Sequence, residues 1–339
     1  MKRLISAFAF ALAGVLPAQA QTVCHGTDLI AAMPPEARAD LHARTAQVPF
    51  HRGLIWQAEK GDARIVMAGT YHFPDPRHQA LLDRLLPEIE RADAVYVEAN
   101  TDAQAQLQTE MARNPALIME MDGPTLPERL PAPLWADLSQ AMSERGMPPF
   151  LISKMRPWYV SVMLGVSPCA MQQIQAEGAD KGLDGLIEAS ARAIDLPVHS
   201  LEPWNTLFSI FDGMTTEQEQ DMLQMAMVTA KDADDYGVTL GNSYFNGDTW
   251  LIWQYGLDMA YEDDSLTREQ ADEQIALAQD RLIDRRNASW IAPLEAAAAD
   301  AATRGKPVFA AFGALHLPGE GGVLNLLAEN GWVVSELAR

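Results

Sequence analysis

Two short turns with the same pattern, Gly69-Thr70-Tyr71-His72 and Gly313-Ala314-Leu315-His316, carry the side chains best suited to chemistry in this chain. Each sets an imidazole three positions after a glycine. An imidazole can bind a metal or move a proton near neutral pH. One such turn is a weak signal, because a lone histidine is usually a satisfied structural residue; a matched pair is a stronger one. Two carboxylates occupy comparable places. Glu98 closes the apolar run Ala94-Val95-Tyr96-Val97, where a carboxylate is costly to bury unless paired. Glu202 closes the run 196–201, although it can instead cap a helix starting near Trp204. Asp75 and His78 are rival donors near His72 and read as parts of a solvated loop. His199, three positions from Glu202, points to the other face of its strand and is left out.

The elements that must position these residues are legible in outline. Residues 25–50 look helical, with Leu29, Ile30, Met33 and Leu41 as the apolar set. The runs 54–58 and 64–68 flank a Gly-containing turn and predict a hairpin. A helix follows over 77–91, with Leu81, Leu82, Leu85, Leu86 and Ile89 on one face. Strands are expected at 94–98, 196–202, 306–312 and 332–336, and helices at 186–193 and 322–330. The strand at 196–202 opens with Pro197, which suits a sheet edge. Between them lie helical stretches, about 101–180 and 205–303; the methionines at 214–227 read as helix core. These alternations indicate one α/β core carrying a large helical insertion.

In such sheets ligands bind beyond the carboxyl ends of the strands. His72, Glu98, Glu202 and His316 all follow predicted strands, so they can face one cleft. The glycines let the chain turn sharply or approach a ligand closely. A further run, Gly319-Glu320-Gly321-Gly322, sits where a helix begins and offers free N–H groups to an anion or a developing oxyanion.

The chain begins like a secretory signal over residues 1–20. Lys2 and Arg3 precede the apolar stretch 4–16, and Ala18-Gln19-Ala20 supplies a cleavage pattern. Residues 21–339 then form the expected domain, in the periplasm or outside the cell. Cys24 follows Gln21-Thr22-Val23, which lacks the small residues of a lipid-attachment box. Loss of Lys2 and Arg3 takes the formal charge from −21 to −23. That balance argues against nucleic acid or an anionic membrane as partner, and no second apolar run approaches spanning length. In an oxidising compartment Cys24 and Cys169 can pair; the alternative is two unpaired thiols. H-E-x-x-H, G-x-S-x-G and G-x-x-x-x-G-K-[ST] are absent, which removes the usual support for thermolysin-type, serine-hydrolase and nucleoside-triphosphate readings.

Six blocks in order make a specific resemblance. Gly69-Thr70-Tyr71-His72 and Tyr96-Val97-Glu98 come first, then Lys154-x-Arg156-Pro157-Trp158. Gly182-Leu183-Asp184 with Leu201-Glu202 follows, then Arg285-Arg286-Asn287 and finally Gly313-Ala314-Leu315-His316-Leu317-Pro318-Gly319-Glu320-x-Gly322. Over roughly residues 50–337 the chain resembles the TraB/PrgY/GumN family, to which the Tiki-type metalloproteases are related. The resemblance implies a mixed central sheet flanked by helices, similar to the erythromycin-esterase and ChaN-like folds. It also implies a metal-dependent hydrolase centre at His72, Glu98 and His316, with Glu202 as a fourth residue. By the same carry-over Arg285 would bind a substrate carboxylate or orient Glu98; its plain reading is a surface salt bridge.

Two imidazoles with one or two carboxylates suit a divalent transition metal, Zn, Mn or Co, with a position open for water. Such an ion activates water and polarises a carbonyl, and a carboxylate off the metal serves as base. Sequence leaves open which glutamate does which. The expected substrate is a peptide or small molecule. Two alternatives remain at this point: a haem- or metal-binding protein using Tyr71 or His72, and a metal-free, esterase-like hydrolase.

Overall fold

The computed structural model describes residues 24–337; the signal-like segment lies outside them. A six-stranded sheet forms the centre, from β1 (Ile55–Lys60), β2 (Ala63–Thr70), β3 (Val95–Val97), β4 (Val198–Ser200), β5 (Val308–Gly313) and β6 (Val333–Glu336). Its order is β4-β3-β5-β2-β1-β6. The expected hairpin is β1–β2, with Lys60 opposite Ala63 across Gly61-Asp62. Gly61 takes φ +61° there, a backbone shape that costs glycine little. β2, β5, β3 and β4 run parallel, whereas β1 is antiparallel to both β2 and β6. The sheet is therefore mixed and flanked by helices, as expected. Pro197 precedes an edge strand, which needs no N–H there.

Alternation along the central strands explains the two layers. Val66 and Ala68 of β2 and Phe309 and Ala311 of β5 face one apolar cluster, with Leu82, Leu85 and Ile89 of the His78–Arg91 helix and Leu183 and Ile187 of the Leu183–Ala193 helix. Ile65, Met67, Val308, Ala310 and Phe312 face the other, against Trp290 and Leu294 of the Arg285–Ala302 helix and Leu324 and Leu327 of the Val323–Glu329 helix. Phe309 and Phe312 are fully buried, a contribution of about 1.5–3 kcal/mol each.

Two helices, Leu29–Ala32 and Pro35–Thr45, precede β1, and most of the others lie between β3 and β4 and between β4 and β5. They carry their own core, in which Leu138, Met142, Ile152 and Val160 pack with Leu223 and Met227. Met227 is among the methionines read as helix core. Cys24 and Cys169 form a disulfide across a separation of 145 residues. A bridge closing so long a loop typically contributes about 2–4 kcal/mol. Cys24→Ser is therefore expected to lower the melting temperature, and reductant should do the same to the native chain. An unchanged melting curve in both would contradict that contribution.

Candidate functional site

The four parallel strands end on one side of the sheet, and each delivers one predicted residue there. His72 lies two residues past β2, Glu98 directly past β3, Glu202 two past β4 and His316 three past β5. The two turns also explain each other's glycine. A Cβ on Gly69 would stand 2.6 Å from Leu317 Cδ1 and 3.0 Å from Ala314, in the opposite turn. One on Gly313 would stand 3.1 Å from His72 Nε2, 3.3 Å from Glu98 Oε1 and 3.6 Å from His316 Cδ2. Neither glycine has a positive φ. Close approach is thus the reason for both, and a sharp left-handed turn is not.

His316 is buried, and its ring packs on Trp290 at 4.6 Å. Its Nδ1 lies 2.6 Å from Asn287 Oδ1, while Asn287 Nδ2 donates to Gly321 O at 2.8 Å. Asn287 Oδ1 is therefore an acceptor, His316 Nδ1 carries the proton, and Nε2 presents a lone pair. Arg286 Nη1 donates to that lone pair at 3.1 Å. Burial pushes the His316 pKa down to about 3, so the ring is neutral at pH 7. His72 differs. Its Nδ1 donates to Asp184 Oδ2 at 2.9 Å, and Thr70 Oγ1 donates to the other oxygen of Asp184. Attraction to the Asp184 carboxylate, with the hydrogen bond to it, raises the His72 pKa to about 9. More than half of the His72 side chain is solvent-exposed, so as an ion pair it stabilises the fold by no more than about 1 kcal/mol.

Arg286 joins the two glutamates. Its Nη2 lies 2.6 Å from Glu98 Oε2 and 3.0 Å from Glu202 Oε2, and its Nε lies 2.7 Å from Glu202 Oε1. Trp290 Nε1 also donates to Glu202 Oε1, at 3.1 Å. Glu202 therefore binds Arg286 and Trp290 and caps no helix. Glu98 Oε1 accepts from the Gly313 N–H at 2.5 Å and lies 3.9 Å from His316 Nε2. Burial works to raise the Glu98 pKa, but His316, Arg286, His72 and the Gly313 N–H hold it at about 2. Arg286 is the permanent charge among them.

Arg285, the arginine carried over by resemblance, does not join this cluster. It is exposed and pairs with Asp280 at 2.6 Å; the neighbouring Arg286 takes the place expected for it. Consecutive helical residues point about 100° apart, and the π-helical turn Gln279–Asp284 sets the phase with which this helix begins. Asp184, Arg286 and Asn287 were present in the ordered blocks, but only their contacts mark them as site residues. Asp75 pairs with Arg77 as a loop residue does. His78 departs from the loop reading: it is buried, with Nε2 2.9 Å from Phe73 O. The Gly319–Gly322 run is closed on itself, since the Gly322 N–H bonds Gly319 O, and the helix beyond it has seven residues.

A cavity of about 280 Å³ opens over the cluster. His72, Arg286, Gly313 and His316 bound its polar side; Leu240, Ile252, Trp253, Leu282, Ile283 and Leu315 form an apolar wall. Gly313→Ala is expected to leave the fold intact, because φ −48° and ψ 133° suit alanine. Its methyl would fill the space between the histidines and Glu98, so the site's activity should fall at least tenfold. Thermal melting alongside a turnover assay checks both parts.

The family model of the TraB/PrgY/gumN family matches residues 54–336. The chain belongs to that family. No curated protein matches it.

Proposed function

We propose that this member of the TraB/PrgY/gumN family is an exported hydrolase that cuts peptide or amide bonds at the His72–Glu98–His316 cluster with a divalent transition metal. The observation that carries the reading is the space above Gly313, on which His72 Nε2, Glu98 Oε1 and the His316 ring converge. Each histidine has its Nδ1 fixed by an outer oxygen, Asp184 or Asn287, and such partners orient metal-binding imidazoles. The donor types suit Zn, Mn or Co, which His72 Nε2, Glu98 and His316 Nε2 would hold, although among the described residues no three such side chains stand close enough to share an ion without moving. Such an ion supplies Lewis-acid polarisation of a carbonyl and a water of lowered pKa. Occupation would require Arg286 Nη1 to release His316 Nε2 and His72, whose pKa is raised to about 9, to give up the proton on Nε2.

Other groups have separate roles in this reading. The apolar wall binds an apolar side chain of the substrate and excludes water. Glu202 is a positioning residue, because its oxygens are occupied by Arg286 and Trp290. Export is supported by the signal-like start and by the Cys24–Cys169 bridge, which suits an oxidising compartment.

One observation favours a second, metal-free reading: a guanidinium already sits against both glutamates. In that case protonated His72 serves as acid and Glu98 as base. Metal content of the purified chain, with hydrolysis of a fluorogenic peptide library before and after adding Zn, Mn or Co, separates the two. Activity without metal that none of the ions raises supports the second. Neither metal uptake nor hydrolysis would sink both.

A further inference from the structure

His78 takes no part in the cluster above, yet it is a polar side chain buried to 1 % exposure. Its ring lies in a box of Tyr71, Tyr244 and Phe245, with centroids 5.9, 6.3 and 5.3 Å away. Phe73 O, which can only accept, stands 2.9 Å from Nε2, so Nε2 carries the proton. Nδ1 then presents a lone pair, and it has no hydrogen-bond partner among the described residues. The neighbouring Arg77 gives its donors to Asp75 and Asn242 and lays its guanidinium over Phe245 at 4.0 Å. A buried nitrogen without a partner costs stability. Leucine or phenylalanine would fill an aromatic box with no such orphan. What the imidazole adds over them is the N–H on Phe73 O. Burial lowers the His78 pKa, which keeps the ring neutral at pH 7 with that one proton in place.

Phe73 O is the last of three alternate carbonyls in one turn, and each is held by a different helix. Tyr244, in the Ala233–Phe245 helix, donates its hydroxyl to Gly69 O at 2.9 Å. Leu183, the first residue of the Leu183–Ala193 helix, donates its N–H to Tyr71 O at 3.0 Å. His78, the first residue of the His78–Arg91 helix, holds Phe73 O. The side chains of Thr70 and His72, which alternate with these carbonyls, both bond Asp184. His72 therefore has a held carbonyl on either side, and His78 supplies the outer one.

We propose that His78 is a positioning residue for His72: its Nε2–H fixes Phe73 O and with it the outer end of the turn, while Tyr244, packed in the same aromatic box, fixes the inner end. Displacing a reacting group by about 1 Å can cost on the order of 10²-fold in rate. A clamp on the turn is thus worth the orphaned nitrogen. The inference rests on the hydrolase reading only for what the turn is positioned to do.

Nitrogen-15 NMR of the full chain reads the tautomer: His78 Nε2 should show the shift of a protonated ring nitrogen and Nδ1 that of a bare one. Amide hydrogen exchange reads the turn, since it reports local opening. The Leu183 N–H should exchange at least about tenfold faster in His78→Leu, which fills the box without a donor. In His78→Gln, whose side-chain amide can donate to Phe73 O, it should stay within about threefold of native. If the chain cuts peptides, kcat should follow the same order at unchanged KM. A proton on Nδ1 in the native chain overturns the proposal, whether or not the variants fold. So does native exchange at Leu183 in folded His78→Leu, a Gln variant no better than the Leu variant, or a kinetic change confined to KM. The ring and exchange measurements need neither turnover nor metal. Their failure leaves the His72–His316 reading standing, and absence of hydrolysis leaves the His78 assignment standing.

Discussion

Arg286→Met is expected to destabilise the fold by about 3–5 kcal/mol, the usual cost of removing one partner from a buried ion pair, while Arg285→Met should change stability by less than about 0.5 kcal/mol. The two arginines are neighbours in sequence with opposite surroundings. Arg286 is largely buried between Glu98 and Glu202, and Arg285 is exposed beside Asp280. Removing the first leaves two carboxylates without their cation in a low-dielectric site. Chemical denaturation of both variants at pH 7 checks the contrast, and equal midpoints would refute it.

The same pair has a pH signature. The Glu98 pKa lies at about 2 in the folded chain, below its ordinary 4.5. A carboxyl lowered on folding contributes stability that is fully present above its unfolded pKa and lost as pH falls through the folded one. The native chain should therefore lose this contribution as pH falls from about 4.5 to about 2. In Arg286→Met Glu98 loses the cation that holds its pKa down and can take up a proton on acidification, so the deficit should shrink between pH 7 and pH 4.

The second large effect concerns chemistry. His72→Ala and His316→Ala are each expected to lower hydrolysis by at least about 10³-fold, the scale of losing some 4 kcal/mol of transition-state stabilisation. Both should also reduce bound metal. Asn287→Ala removes only the acceptor that fixes His316 Nδ1, and outer-shell losses cost about 10–100-fold in metal affinity or activity. It should therefore fall between the native chain and His316→Ala in metal retention as well as rate. Metal analysis by mass spectrometry beside steady-state kinetics reads these differences. Full activity in either histidine variant would remove the cluster from the reaction.

The placement of the strands was largely legible in the sequence. Alternating apolar residues gave β2 and β5 two buried faces, and Pro197 gave β4 its edge position. β3 and β4 came out shorter than the runs that suggested them, Val95–Val97 and Val198–Ser200. Apolar composition marks what can be buried and does not say how far a partner strand continues the ladder.

The sequence by itself determined the pair of Gly-x-x-His turns, their position after predicted strands and the two glutamates at the ends of other strands. Those follow from local periodicity and from the rule that strand ends in such sheets meet on one side. That these strands run parallel is a finding of the structure. Tertiary structure decided the rest. Arg286 meets Glu98 across 188 residues and His316 across 30, and no local pattern distinguishes it from Arg285. Asp184 becomes the partner of His72 only because the Leu183–Ala193 helix starts beside that turn, with the Leu183 N–H bonded to Tyr71 O. The glycines, too, acquire their reason from packing, since each is crowded by the opposite turn. Contacts between distant segments depend on how whole layers pack, and that information is spread over the fold.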